Sequence, residues 1–375
     1  DILKFDFKKP EERGIFQTAT KMVTYIVIVA ESIVYAVAVY GGPSEPFVLY
    51  VIIGQLMAAS IIIMFLDELI QKGWGLGSGI SLFIMAGVAQ QILWSLFSPL
   101  PAGDGGMIGI IPYLVESAIG SGDLGNVLFR SNQLPSIFGL CLTAGIILIL
   151  VFTQGMKIEI PIVSTKYRGF QAVYPIKMMY VSNIPVILAS ALTANAVFVF
   201  QMIWSNFNPR NNNFFVNFIA QFDPTSPSTP VGGLIYYVTP PRGLDVAALD
   251  PMRGVGYVLF MIGIVVVFGK LWVELGGLSP KSAAQNLLDA DVQIPGFRRS
   301  NKPVEALLNK YIPSVTIIGS CILGLLAGVS DVLGVFGSGI GVLLMVDIMI
   351  NYYTQLVREQ VEVVMPRLGA ILGRK

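Results

Sequence analysis

FVLYVIIGQLMAASIIIMFL, residues 47–66, holds neither a charge nor a proline. Its length matches the roughly 20 apolar residues that an α-helix needs to cross a bilayer. Seven further stretches read the same way, at approximately 22–40, 79–97, 136–154, 178–204, 255–273, 312–329 and 334–354. The last two are separated only by a tight turn around Ser330 and Asp331. Of the 375 residues, 54% are hydrophobic and 13% charged, against about 25% charged in soluble domains. The expected fold class is therefore all-α, a polytopic membrane helix bundle.

The placement of Lys and Arg supports that count. If the first residues are cytosolic, 20 of the 24 basic residues fall in 1–21, 67–78, 155–177, 270–311 and 355–375. The opposite segments, 41–46, 98–135, 205–254 and 330–333, hold the remaining 4. Such asymmetry is the positive-inside pattern, which a soluble helical protein has no reason to produce. NPRNNN (208–213) and DPTSPSTP (223–230) mark the long 205–253 connection as irregular.

Several chemistries are excluded by composition. Histidine is absent, which removes His-based triads, H-E-x-x-H sites and imidazole metal centres. Cys141 and Cys321 lie inside apolar runs and read as packing residues. GWGLGSGISLF (73–83) is glycine-rich but carries no Lys-Ser/Thr, so it is not a phosphate-binding loop; Ser78 reads there as a helix cap. AGDGG (102–106) falls in a connection, outside any span.

Glu31 and Asp347 are the ionisable groups placed mid-span. A carboxylate at a helix centre costs about 2.5–3.5 kcal/mol on insertion scales, so each must face protein or water. For both, a proton relay and a polar group satisfied between helices remain open, the second favoured. Pro185, inside the expected fifth span, should remove a backbone hydrogen bond and kink it. The midplane residues are otherwise mostly Ile, Val, Leu, Ala and Gly, so a pore through this bundle needs an apolar constriction. STKYRGFQAVYPIK (164–177) and the 275–311 segment carry clustered basic residues. Lys157 and Lys177 read as span-end anchors. Lys166, Arg168, Arg298 and Arg299 lie farther from the spans, where phosphate binding is the physical alternative.

Five ordered motifs, LDELIQKGWGLGSGISLFI (66–84), YPIKMMYVSNIPVILA (174–189), GLSPKSAAQNL (277–287), IPGFRRS (294–300) and LNKYIPSVT (308–316), resemble the SecY family. This is the channel-forming α-subunit of the Sec translocon, here in its archaeal/eukaryotic-type branch. The resemblance implies eight spans of a ten-span, two-halved pseudo-symmetric channel, without the first two spans and the plug. Residues 1–97 would be the rest of the N-terminal half, 98–135 an external connection, and 136–375 the C-terminal half with cytosolic loops 155–177 and 275–311. It also implies a pore ring of Ile80, Ile84, Ile187 and Leu344, and a lateral gate with Glu31, Asn195 and Pro185. Ribosome docking would fall to Lys166, Tyr167, Arg168, Phe297, Arg298 and Arg299.

The implied partners are a SecE/γ-type clamp subunit, a small single-span β subunit, the ribosome through rRNA phosphates, the nascent polypeptide with its signal sequence, and the lipid bilayer. The implied location is the cell membrane in an archaeal-type cell, otherwise the endoplasmic reticulum membrane. No cofactor and no catalysis are expected. The competing reading, a secondary transporter of small solutes, requires carboxylates or substrate-binding residues gathered at the midplane, and beyond the isolated Glu31 and Asp347 the sequence shows none.

Overall fold

The computed structural model describes residues 10–40, 46–73, 78–102, 106–119, 127–130, 134–164, 171–181, 183–224, 229–241, 243–289, 292–293 and 301–364. Its helices are α1 (Pro10–Tyr40), α2 (Pro46–Gly73), α3 (Gly79–Phe97), α4 (Ile110–Ile119), α5 (Ile137–Gly155), α6 (Ile184–Phe207) and α7 (Phe214–Ile219). They continue as α8 (Leu234–Val238), α9 (Leu244–Leu249), α10 (Pro251–Leu275), α11 (Pro280–Asp289), α12 (Asn301–Val332) and α13 (Gly339–Val364). The strands are β1 (Lys157–Ser164), β2 (Gln171–Lys177), β3 (Gln221–Phe222), β4 (Pro230–Gly232) and β5 (Val292–Gln293). Among the described residues 8 helices are long and apolar enough to cross a membrane. The helical membrane bundle expected from hydropathy is thus present.

The chain divides into two compact units, Asp1–Ile80 with Ala194–Ile235, and Ser81–Thr193 with Tyr236–Lys375. In the first unit, α1 and α2 are tied by Glu68, whose carboxylate accepts from Lys21 Nζ at 2.7 Å and from Lys72. A small core of Trp204, Ala220, Phe222 and Ile235 closes the connection that follows α6. The NPRNNN loop there is ordered by its own amides. Trp204 Nε1 donates to Asn211 Oδ1 at 2.6 Å, and Asn208 Nδ2 donates to Asn217 Oδ1 at 2.7 Å. Asn211 takes a positive φ of 56°, a conformation that asparagine tolerates better than most residues.

The second unit has a core shared by α5, α6, α10, α12 and α13, with Leu150, Val186, Met261, Val265, Leu323 and Val342 at its centre. The close approach of α10 and α12 depends on glycine. A Cβ on Gly324 would lie 2.8 Å from Ile262 Cα, and one on Gly328 would lie 3.1 Å from Val258 Cα. Small residues of this kind let membrane helices pack backbone against backbone.

Within the expected cytosolic loop 155–177, β1 and β2 form an antiparallel pair, from Lys157↔Lys177 to Val163↔Gln171. Its sequence alternates as a strand should. Ile158, Ile160 and Ile162 pack inward, while Lys157 and Glu159 pair on the outside at 2.8 Å. Lys177 therefore ends a strand and is not a helix-end anchor. β1 also pairs with β5, with Val163 opposite Gln293 and Ser164 opposite Val292. One three-stranded sheet thus joins the two basic segments.

The fifth span also differs from expectation. α6 begins at Ile184, not 178, because Asn183 O receives the first helical N–H groups, from Val186 at 3.0 Å and Ile187 at 3.1 Å. Pro185 is then in the first turn, where backbone N–H groups have no helical acceptor to lose. It does not kink the span. Pro313 of α12 does lie in a helix interior, where it leaves the carbonyl one turn earlier without its usual donor. Residues 178–181 are apolar for another reason: Met179 and Val181 are buried in the protein cores at 6% and 3% exposure. Burial there pushes the Tyr180 hydroxyl up to about 12, so it stays protonated and donates to Leu278 O at 2.9 Å.

Candidate functional site

The expected ring residues sit on three helices. Ile80 and Ile84 are on α3, Ile187 on α6 and Leu344 on α13. Ile84, Ile187 and Leu344 belong to the second unit and Ile80 to the first. Within the second unit, the start of α6 is fastened to α13 beside two of these residues. Asn183 Nδ2 donates to Leu343 O at 3.1 Å, one residue from Leu344 and one turn before Ile187. Asn183 is 2% exposed, so this bond forms away from solvent. Leu344 is buried, Ile84 half-buried and Ile187 exposed.

Glu31 and Asn195 meet within the first unit, Asn195 Nδ2 donating to Glu31 Oε1 at 3.4 Å. This distance is at the long end for a hydrogen bond. About one turn along, Tyr35 and Phe198 meet edge-on with centroids 5.6 Å apart. Sequence reading missed that ring pair, although its i+4 and i+3 offsets from Glu31 and Asn195 place it on the same helix faces. The α1–α6 contact therefore combines one polar bond with one aromatic contact. We expect Glu31→Ala and Asn195→Ala to show a coupling of only about 0.6 kcal/mol in a double-mutant cycle, the mean for interhelical bonds in membranes. Equilibrium distance distributions between labels on α1 and α6 would measure it; strict additivity would disprove the bond's contribution.

Asp347 is resolved in favour of a satisfied polar group. Gln154 Nε2 donates to its Oδ1 at 2.8 Å and Asn351 Nδ2 to its Oδ2 at 3.2 Å. The first bond crosses from α5 to α13, a pairing far apart in sequence that local reading could not find. Two further carboxylates were also missed, both at helix starts, where negative charge is favoured by the backbone dipole. Asp67 Oδ1 accepts from Ile80 N and Ser78 Oγ, each at 3.0 Å, at the start of α3. Ser78 thus serves the Asp67 carboxylate. At the start of α13, buried Asp331 accepts from Gly339 N at 2.6 Å and Tyr257 OH at 2.9 Å.

Lys166, Tyr167, Arg168, Phe297, Arg298 and Arg299 lie outside the described residues. The strands adjoining both segments are register partners, Ser164 opposite Val292. Among the described residues no group of three or more His, Cys, Asp or Glu could hold a metal ion.

A bundle of apolar spans, with mid-span Glu31 and Asp347 met by side-chain amides, defines a polytopic helical membrane protein. The SecY family model matches residues 1–353, and the chain belongs to that family. Three solved relatives agree. One is a SecY protein whose plug domain stabilises the closed state of the translocation channel, 34% identical, TM-score 0.77, covering 96% of this chain and 78% of its own. A second, described as a protein-conducting channel, is 34% identical with TM-score 0.78 and covers 96% and 77%. The third is Sec61 from the canine ribosome–channel complex of the endoplasmic reticulum, 32% identical, TM-score 0.75, again covering 96% and 77%. The chain is accordingly a subunit of a protein-conducting channel, not an enzyme, and its location is the plasma or endoplasmic reticulum membrane.

Proposed function

We propose that this subunit passes unfolded secretory polypeptides across the bilayer and releases membrane helices sideways into lipid. The eight spans would form part of a ten-span channel of two pseudo-symmetric halves. In it, 1–97 and 136–375 contribute to opposite halves joined by the 98–135 connection. Ile80, Ile84, Ile187 and Leu344 act as the constriction. Branched aliphatic side chains fit loosely around varied polypeptides and resist wetting by ions when the pore is empty.

The lateral exit runs between α1 and α6, and the observation that carries this reading is the Glu31–Asn195 bond. A single long hydrogen bond between helices is weak enough for an entering apolar signal helix to replace. Pro185 takes part through the first turn of α6, where its fixed φ favours the helical start. A SecE/γ-type clamp subunit and a single-span β subunit would complete the complex.

The ribosome is the proposed driving partner. The sheet pairing of Ser164 with Val292 supports a shared docking surface, because it joins the segments that carry Lys166, Arg168, Arg298 and Arg299. Arg and Lys there would meet rRNA phosphates, with Tyr167 and Phe297 stacking on bases. Arg168→Glu with Arg298→Glu should weaken ribosome binding and flatten its salt dependence, since each lost phosphate contact removes released counterions. Binding of ribosomes to proteoliposomes across a salt titration tests this; unchanged affinity and slope would sink the docking assignment.

A further inference from the structure

Helix α4 buries one side and leaves an apolar stripe on another. Ile110 and Ser117 are buried, and Tyr113 and Leu114 pack against the cluster formed by Ile110, Val127 and Phe336. At 100° per residue, Ile111, Val115 and Ile119 share a different face, and they are 38%, 53% and 84% exposed. Glu116 stands at the polar edge of this stripe, beside the same groove as Ile111, Val115 and Ile119, and accepts from Met107 N at 3.2 Å. Packing within the protein accounts for the first face only.

The position of α4 is fixed by the end of a span. After α3 the chain turns back on itself, with Ile108 N donating to Leu100 O at 2.8 Å and Gly109 N to Ser98 O at 2.9 Å. A Cβ on Gly109 would lie 2.5 Å from Ser98 N, so only glycine permits this return. Arg130 holds the far side, its guanidinium 3.9 Å from the centre of the Tyr113 ring and donating to Ile108 O at 3.2 Å. α4 therefore starts against the last residues of α3. α3 has 19 residues, about 28 Å at 1.5 Å each, close to the roughly 30 Å hydrocarbon core. Its final turn exposes Trp94 and Phe97 at 52% and 55%, and tryptophan is enriched at the membrane–water interface.

We propose that α4 is an interfacial helix whose Ile111–Val115–Ile119 face rests in the lipid headgroup region of the leaflet where α3 ends. The continuity of the stripe with a membrane-exposed helix end selects lipid over a protein partner. Its consequence is an anchor for the connection between α3 and α5 at a constant depth.

Single cysteines at Ile111→Cys, Val115→Cys, Ile119→Cys and Glu116→Cys, with Cys141 and Cys321 replaced by alanine, test this. Each is labelled with a nitroxide in the full protein, reconstituted in phosphatidylcholine–phosphatidylglycerol vesicles. Collision with oxygen reports lipid and collision with a nickel chelate reports water. The expected result is an oxygen-to-nickel ratio several-fold higher at 111, 115 and 119 than at 116. Equal, high nickel access at all four places the stripe in water and overturns the proposal. Low access to both reagents at 111, 115 and 119 also overturns it, in favour of a covering protein chain.

Discussion

Gly324→Leu should prevent the second unit from folding, while Gly263→Leu on the neighbouring helix should be tolerated. The added Cβ at 324 would lie 2.8 Å from Ile262 Cα and 3.0 Å from Met261 O. Both are backbone atoms of α10, which cannot move aside as a side-chain tip can. Overpacking a core typically costs about 1–3 kcal/mol even where side chains can adjust. Here the helices themselves must separate, removing contacts around Met261, Val265 and Leu323. At Gly263 an added Cβ meets nothing within 4 Å, so the same chemical change on α10 serves as the control. Yield from membranes and the Tm in detergent measure the difference. Equal Tm values for the two variants would refute a glycine-dependent contact.

Ile84→Asn and Ile187→Asn should each raise ion leak through the idle channel several-fold without changing its yield. Ile187 is 37% exposed, so an amide there costs little packing. If it lines the constriction, the amide gives water a partner and ends dewetting. Leu344, at 7% exposure, is a poorer probe because its loss would also disturb the bundle. Conductance of the assembled channel in planar bilayers is the measurement, and wild-type conductance in both variants would count against the collar.

Hydropathy was readable from sequence because each span is a local property of about 20 residues. All eight long helices fall on expected stretches. Helix starts were less readable. MMYV (178–181) is as apolar as a span, but protein rather than lipid buries Met179 and Val181. That difference moved the start of α6 past Asn183 and left Pro185 harmless in the first turn. The strand character of KIEIPIVS (157–164) was present in its alternation, yet a basic segment between spans invites reading as a loop.

Of the candidate site, Glu31 was found because a charged residue in an apolar span stands out, while Asn195 came only from the resemblance to the SecY family. Their aromatic companions Tyr35 and Phe198 did not stand out, since rings are common on such helices. Asp67 and Asp331 were missed because each caps a helix start some residues further along the chain.

By itself the sequence determined the class of fold, the number of spans and the family, since apolar run length and ordered motifs are written along the chain. Tertiary structure decided which polar groups are partners: Gln154 with Asp347, Asn183 with Leu343, Ser164 with Val292. Each of these pairs joins segments far apart in sequence. Such choices depend on which helices pack together, and in an apolar chain packing is settled by shape and small residues. Hydropathy cannot distinguish them, because every candidate face is equally greasy.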